Sequence, residues 1–197
     1  MDYLFGVRTA DCVLLAADKS VIQSIYIVSN DRRKHWPLGE TTSMLCVGDG
    51  GDADQFAEFI EKNVQLYKMR NDYELSPRAT ASFVRREIAE SLRTRSPNIV
   101  WLIIGGYDTN DNEPYLTMMD YLGTQFEGAY LMQGHGARFC YSILDRIYRD
   151  DWTIEQAVDG MKKCLKEVKT RFVLNLSKFM VIKIDRDGIH ELDDIIL

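Results

Sequence analysis

Long apolar runs and an excess of basic residues are both missing from this sequence. The 197 residues include 24 Lys and Arg against 30 Asp and Glu, for a formal net charge of −6. Because the basic residues are scattered among acidic ones, no broad face for phosphate groups is predicted, and nucleic acid is not an expected partner. The longest apolar stretches, such as 99–104, are far shorter than the roughly 20 residues of a membrane-spanning helix. The first residues also lack the features of a secretory signal, so no membrane partner is expected.

Cysteine and histidine are few and widely separated. They are Cys12, Cys46, Cys140 and Cys164, and His35, His135 and His190. The cysteines lie in apolar segments without a C-x-x-C pair, which indicates buried thiols in a reducing compartment. The histidines lack the spacing of metal ligands. We therefore expect neither a metal nor a cofactor.

The first half of the chain is predicted to form strands and then a helix. β-branched and aromatic runs broken by polar turns predict strands at 3–8, 12–17, 24–29 and 43–47. A helical period follows the glycine-containing run 48–52 and predicts a helix to about Arg70. The apolar face of that helix is expected to consist of Phe56, Phe59, Ile60, Val64 and Tyr67.

The second half alternates helices with strands. Ser76 as N-cap and Pro77 at the first helical position predict a second helix that ends before Pro97. A third helix is predicted after Gly136, with an inward face of Phe139, Ile143, Leu144 and Ile147. A fourth is predicted from Thr153, where Gln156 completes a capping box. Strands are predicted at 99–104 and 115–120, joined by the turn 108–112, and at 126–132, 178–184 and 188–192.

This order of elements predicts an α+β fold. Helix pairs that alternate with groups of antiparallel strands can each bury an apolar stripe against a sheet. Two sheets stacked face to face with helices outside would satisfy every stripe, as a four-layer αββα sandwich. Periodicity alone leaves a two-layer α+β fold open. Because no linker, repeat or low-complexity tract interrupts the chain, residues 1–197 are expected to form one domain.

Several stretches resemble proteasome β subunits, nearest to the beta type-2 class. The longest match runs through 54–70 and continues at 73–77. Further matching landmarks are 1–7, 105–108, 119–122, 142–146, 163–165 and 187–190. The resemblance covers nearly the whole chain and implies the αββα sandwich of the N-terminal nucleophile hydrolases.

The resemblance also implies that the nucleophile is missing. In active members of the family a threonine freed at the chain start is the nucleophile, and its own amine is the base. The alignment places Asp2 at that position, preceded by Met1, and no propeptide is expected. A carboxylate has no proton for the amine to take and attacks peptides poorly. Thr9 lies between two predicted strands and Thr124 lies deep in the domain, so we predict no catalytic residue.

Two other parts of the family's catalytic machinery match residues of this chain. Asp18 resembles the supporting aspartate, and Lys34 resembles the lysine that lowers the proton affinity of the threonine. Without a nucleophile we expect both to be vestigial, with Asp18 capping a strand end or pairing with Lys34. The family's later serine and aspartate are not recovered, because 134–137 and 169–172 contain other residues.

The resemblance therefore implies a non-catalytic structural subunit of a eukaryotic 20S proteasome core, in the cytoplasm and nucleus. Its partners would be the other β subunits of a seven-membered ring, the α subunits of the adjacent ring and the opposing β ring. Such rings need contacts between unlike faces. Its role would be to support the chamber in which ubiquitin-tagged and other proteins are degraded. The alternatives are an active threonine-type peptidase of the same fold and a free-standing binding domain.

Overall fold

The computed structural model describes residues 2–23, 26–172, 176 and 178–196. Within these residues the strands are β1 Leu4–Arg8, β2 Val13–Asp18, β3 Val21–Gln23, β4 Tyr26–Ser29, β5 His35–Pro37, β6 Thr42–Gly48, β7 Val100–Asp108, β8 Glu113–Met119, β9 Gln125–Glu127, β10 Tyr130–Gln133, β11 Lys178–Asp185 and β12 Gly188–Ile196. The helices are α1 Gly50–Asn71, α2 Pro77–Ser91, α3 Ala137–Ile147 and α4 Ile154–Arg171.

The described strands form two five-stranded antiparallel sheets and one hairpin. The first sheet has the order β10-β1-β2-β11-β12, and the second has the order β5-β6-β7-β8-β9. The hairpin consists of β3 and β4. Neighbours along the chain pair in both sheets, for example β7 with β8 and β11 with β12, as the sequence predicted.

Three apolar clusters separate four layers. One cluster packs α3 and α4 against the first sheet, and a second packs α1 and α2 against the second sheet. The third lies between the sheets and includes Leu15, Leu45, Ile103 and Ile182. Because both faces of each sheet are covered, the core strands are buried almost throughout, as in β2 and β6. The αββα sandwich is therefore confirmed, and the two-layer alternative is excluded.

The predicted helix starts are present in the structure. The Ser76 hydroxyl accepts a hydrogen bond from the Ala79 amide at 3.3 Å, with Pro77 in the first turn. Thr153 and Gln156 form the reciprocal capping box of α4. None of the helices in the described part of the chain has both the length and the apolar character needed to cross a membrane.

Several predicted details were wrong. The single strand expected at 126–132 is two short strands, β9 and β10, which belong to different sheets. Phe59 is 47% exposed, because Ala53 and Ala57 complete the buried face of α1 in its place. Phe139 is only partly buried, and Cys140 occupies the core-facing position of α3. The short strands β3 and β5 were not predicted. Residues 24 and 25 of the predicted strand 24–29 lie outside the described residues.

Candidate functional site

Three charged residues that lie at or just before the ends of separate strands meet near the start of β1. The antiparallel register of β1 and β2 sets Leu4 opposite Ala17, so Tyr3 faces Asp18 at the end of β2. Lys34 directly precedes β5, and its carbonyl accepts a hydrogen bond from the Cys46 amide of β6 at 3.1 Å. The Lys34 Nζ lies 2.7 Å from Asp2 Oδ1 and 2.8 Å from Asp18 Oδ2. The structure thus brings together all three residues singled out from the sequence.

The Lys34 ammonium is enclosed by acceptors. Besides the two carboxylates, it donates to the carbonyl oxygen of Ser20 at 3.0 Å. An ammonium group can donate three hydrogens; here it hydrogen-bonds to Asp18 and to the Ser20 carbonyl, and Asp2 lies beside it as a second ion-pair partner. Lys34 is 1% exposed, whereas the Asp2 side chain is 24% exposed. The network therefore has a buried side at Asp18 and an accessible side at Asp2.

Asp18 is held by the backbone as well as by Lys34. Its Oδ1 accepts a hydrogen bond from the Tyr3 amide at 2.7 Å, and its Oδ2 accepts one from the Ser20 amide at 3.2 Å. Burial raises the pKa of the Asp18 carboxyl, and the Lys34 ammonium opposes that shift. Asp18 therefore pairs with Lys34 and also fixes the chain at both strand ends. The ion-pair interpretation made from the sequence is confirmed.

A cleft of about 560 Å³ opens beside Asp2. Its wall includes Gly48 and Asp49 at the end of β6, Trp101 on β7, and residues 132–135 and 137–138, from the end of β10 to the start of α3. The apolar and charged side chains along this wall are Val47, Asp49, Trp101, Met132, His135 and Arg138. Among the described residues that line the cleft there is no hydroxyl or thiol side chain.

Gly134 allows the chain to pass close to Asp2. It has a φ of +102°, in the region that disfavours other residues, and an added Cβ would lie 2.0 Å from the Asp2 carbonyl oxygen. A side chain there would push Asp2 away from the Lys34 ammonium. In the segment 134–137, where the family's serine was not recovered, Gly134, His135 and Ala137 thus line the cleft, whereas 169–172 is not part of its wall.

The threonines considered as alternative nucleophiles lie elsewhere. The Thr9 hydroxyl is buried in the β1–β2 turn and donates to the Cys12 carbonyl at 3.2 Å. Thr124 follows β8, where its amide donates to Asp120 Oδ1 at 2.8 Å. Neither residue lines the cleft. Residues 2–23, 26–172, 176 and 178–196 contain no cluster of His, Cys, Asp or Glu arranged to hold a metal ion.

The backbone partners of this site were not predicted from the sequence. Ser20 supplies an amide to Asp18 and a carbonyl to Lys34, and Tyr3 supplies a second amide. Backbone groups carry no signature in the residue type, so no motif could have indicated them. Gly134 did have a signal, since an isolated glycine after an apolar strand indicates a close backbone approach.

Comparison with known proteins identifies the family to which this sandwich and cleft belong. The family model described as proteasome subunit matches residues 4–184. Proteasome subunit beta type-4 of Saccharomyces cerevisiae is 42% identical over 194 residues, which cover 98% of each chain. The chain belongs to the proteasome β-subunit family.

Similar relatives of this β-subunit chain are found outside the fungi. Proteasome subunit beta type-2 of Caenorhabditis elegans is 39% identical over 198 residues, with 100% of both chains covered. Proteasome subunit beta type-2 of Oryza sativa is also 39% identical, over 97% of this chain and 89% of its own length. The beta type-2 resemblance noted from the sequence is therefore consistent with these relatives.

Proposed function

We propose that this chain is a non-catalytic structural subunit of the 20S proteasome core, with residues 1–197 as one β-subunit domain. The observation that carries the proposal is the position of Asp2 beside Lys34, at the mouth of the cleft, where active members have a threonine. A carboxylate cannot pass a hydroxyl proton to an amine base, and the Lys34 ammonium is already engaged by two carboxylates and the Ser20 carbonyl. Asp18 and Lys34 would then be vestigial and structural.

Assembly into a ring is supported by apolar side chains on the surface. The β3–β4 hairpin carries Tyr26, Ile27 and Val28 in succession, with exposures of 70%, 53% and 61%. Adjacent exposed apolar residues of this kind mark surfaces that contact other proteins. The partners we propose are β subunits in the same seven-membered ring, α subunits of the adjacent ring and the opposing β ring.

In this role the chain would support the chamber in which ubiquitin-tagged and other proteins are cleaved by neighbouring active subunits. It would be present wherever that particle is present, which we propose to be the cytoplasm and nucleus. It would need no cofactor and no metal of its own.

The proposal is tested on intact particles purified through a tag on a different subunit. Particles are treated with a covalent probe directed at N-terminal threonine, and each subunit is analysed by intact mass. We expect the mass of this chain to be unshifted and to retain Asp2, while the active subunits of the same particle gain the mass of the probe. These active subunits are the internal positive control.

Stoichiometric labelling of this chain would instead establish the alternative, an active threonine-type peptidase. A second outcome would also exclude the structural role. If native mass measurement of cell extract finds the chain only as a 22.7 kDa monomer, it is a free-standing domain and not a ring subunit.

A further inference from the structure

A groove lies between α4 and the end of β12, on the outer side of the first sheet. It has a volume of about 880 Å³ and is lined by Lys162, Lys166, Lys169, Asp194, Ile195 and Ile196, with Thr170 at its edge. We call it the α4–β12 groove. None of its lining residues belongs to the cleft beside Asp2.

The three lysines of the groove form a stripe of like charge. They are spaced four and three residues apart on α4, so they lie on one face of the helix and repel one another. Other cations of the same helix are paired, since Lys163 lies 2.8 Å from Asp159 and Arg171 pairs with Glu167. Across the described part of the chain, no carboxylate lies within ion-pair distance of any of the three groove lysines.

The one acidic residue of the lining does not neutralise the stripe. The Asp194 Oδ2 lies 3.1 Å from Lys178 Nζ and 3.4 Å from Lys19 Nζ, which are both outside the groove lining. A local excess of positive charge therefore remains on a chain whose formal net charge is −6. A surface of this kind is complementary to a negatively charged partner.

The shape of the groove favours an extended segment of polypeptide. β12 is the last strand of the first sheet, and none of the strands described here pairs with its outer edge. Such an edge offers backbone groups for one more strand. Ile196 is 77% exposed beside it, which provides an apolar contact next to the lysines. Alternate side chains of an added strand would point toward the same side.

We propose that the α4–β12 groove binds an acidic, extended segment of a neighbouring proteasome subunit. Carboxylates of that segment pair with Lys162, Lys166 and Lys169, and an apolar side chain packs on Ile196. This inference rests on the proposed assembly of the chain into the particle.

The first test uses intact particles and a zero-length reagent that couples lysine amines to carboxylates in direct contact. We expect peptides that join at least one groove lysine to an Asp or Glu of another subunit. The three amines should also be protected from acetylation in the particle, relative to the isolated chain. Full acetylation of all three in the particle, or coupling only within this chain, would overturn the groove proposal.

The second test compares Lys166→Glu with Lys163→Glu, the same change on the same helix outside the groove. Lys166→Glu relieves repulsion with Lys162 in the isolated chain, whereas Lys163→Glu breaks the pair with Asp159. If the two changes acted only through the folding of the chain, Lys163→Glu would therefore lower the recovery in particles more than Lys166→Glu. We expect Lys166→Glu to be recovered in particles about tenfold less than Lys163→Glu, because it faces carboxylates of the partner.

Equal recovery of the two variants would contradict the groove proposal and leave the structural role intact. If neither the variants nor the unmodified chain is found in particles, the proposed function and the groove proposal both fail. The two failures are therefore distinguishable.

Discussion

Lys34 is the residue on which the arrangement at the start of β1 depends. Its ammonium lies between the carboxylates of Asp2 and Asp18 and also contacts the Ser20 carbonyl. Burial of a charge is tolerated only when it is paired and hydrogen-bonded. The same lysine would assist a nucleophile in an active member of the family. Here we propose that it stabilises the junction of the three strand ends.

We predict that Lys34→Met strongly lowers the free energy of unfolding. The variant leaves Asp18 fully buried without its countercharge, and breaking a buried pair in this way costs roughly 3–5 kcal/mol. Urea denaturation of the isolated chain measures the change. The double variant Lys34→Met/Asp18→Asn should recover part of the loss, since the fully buried position 18 then carries no charge.

Arg86→Met is a suitable control for that experiment, because it removes an exposed ion pair between Arg86 and Glu90. Exposed pairs contribute little to stability, so this variant should change the unfolding midpoint only slightly. Equal effects of Lys34→Met and Arg86→Met would contradict the structural role assigned to Lys34.

His35, the next residue, is predicted to make stability depend on pH. Burial, with a smaller contribution from the charge of Arg33, lowers the pKa of His35 to about 4, and its Nε2 has no hydrogen-bond partner among the described groups. The unfolded chain takes up a proton near pH 6.5, whereas the folded chain does not. Stability is therefore unaffected above pH 6.5 and falls between pH 6.5 and 4, by up to about 3 kcal/mol.

This prediction is measured as the unfolding free energy at pH 7, 6 and 5. In His35→Gln the loss between pH 7 and 5 should shrink, because the titrating group is gone. The matched control for the substitution itself is His190→Gln, which removes a histidine whose side chain is 46% exposed beside Asp185. An identical profile in His35→Gln would rule out His35 as the source.

At the scale of elements, helix α4 has a well-defined start. The Thr153 hydroxyl and the Gln156 side chain satisfy each other's backbone amides at 3.4 and 2.9 Å. We predict that Thr153→Ala lowers the unfolding free energy by about 1 kcal/mol, through loss of the cap. Thr170→Ala, in the last turns of the same helix, should change it less, because the partner of the Thr170 hydroxyl among the described residues is the Lys166 carbonyl of its own helix. Thermal unfolding of both variants checks the difference.

Elements with local signals could be predicted, and elements without them could not. The caps at Ser76 and Thr153 and the hairpin turns are encoded by residues a few positions apart. The strands β3 and β5 are only three residues long, too short for an alternating pattern. The segment 126–132 has one apolar pattern, but its two ends pair with different sheets, which depends on distant residues.

In the candidate site too, the residue types could be predicted but their geometry could not. Asp2, Asp18 and Lys34 could be identified from the sequence because their types matched a family pattern. Their geometry depends on strand register, which sets Tyr3 against Asp18, and on Gly134 reaching Asp2 from 132 residues further along the chain. Such long-range contacts leave no periodic signal in a single sequence.

At the scale of the whole molecule, the two sheets approach closely where Gly105 of β7 faces β2. An added Cβ at Gly105 would lie 2.8 Å from Val13 Cγ1 and 3.1 Å from Leu15 Cδ2. Both neighbours belong to the cluster between the sheets. Because Val13 is β-branched and stiff, the contact cannot be relieved by a simple rotation. The spacing of the layers is therefore set in part by this glycine.

We predict that Gly105→Ala lowers the unfolding free energy by roughly 1–3 kcal/mol, through overpacking between the sheets. In a Val13→Ala background the same change should cost clearly less, because the nearest atom is gone, and the difference measures the coupling of the two positions.

Gly51→Ala, where an added Cβ meets no atom within 4 Å, is the control and should not destabilise the chain. If Gly105→Ala costs the same with and without the Val13 side chain, the contact with Val13 is not the source of the effect. A smaller cost in the double variant would instead mean that each layer constrains the next. Packing between the sheets would then help to hold the first strands of the chain, and with them Asp2, in place.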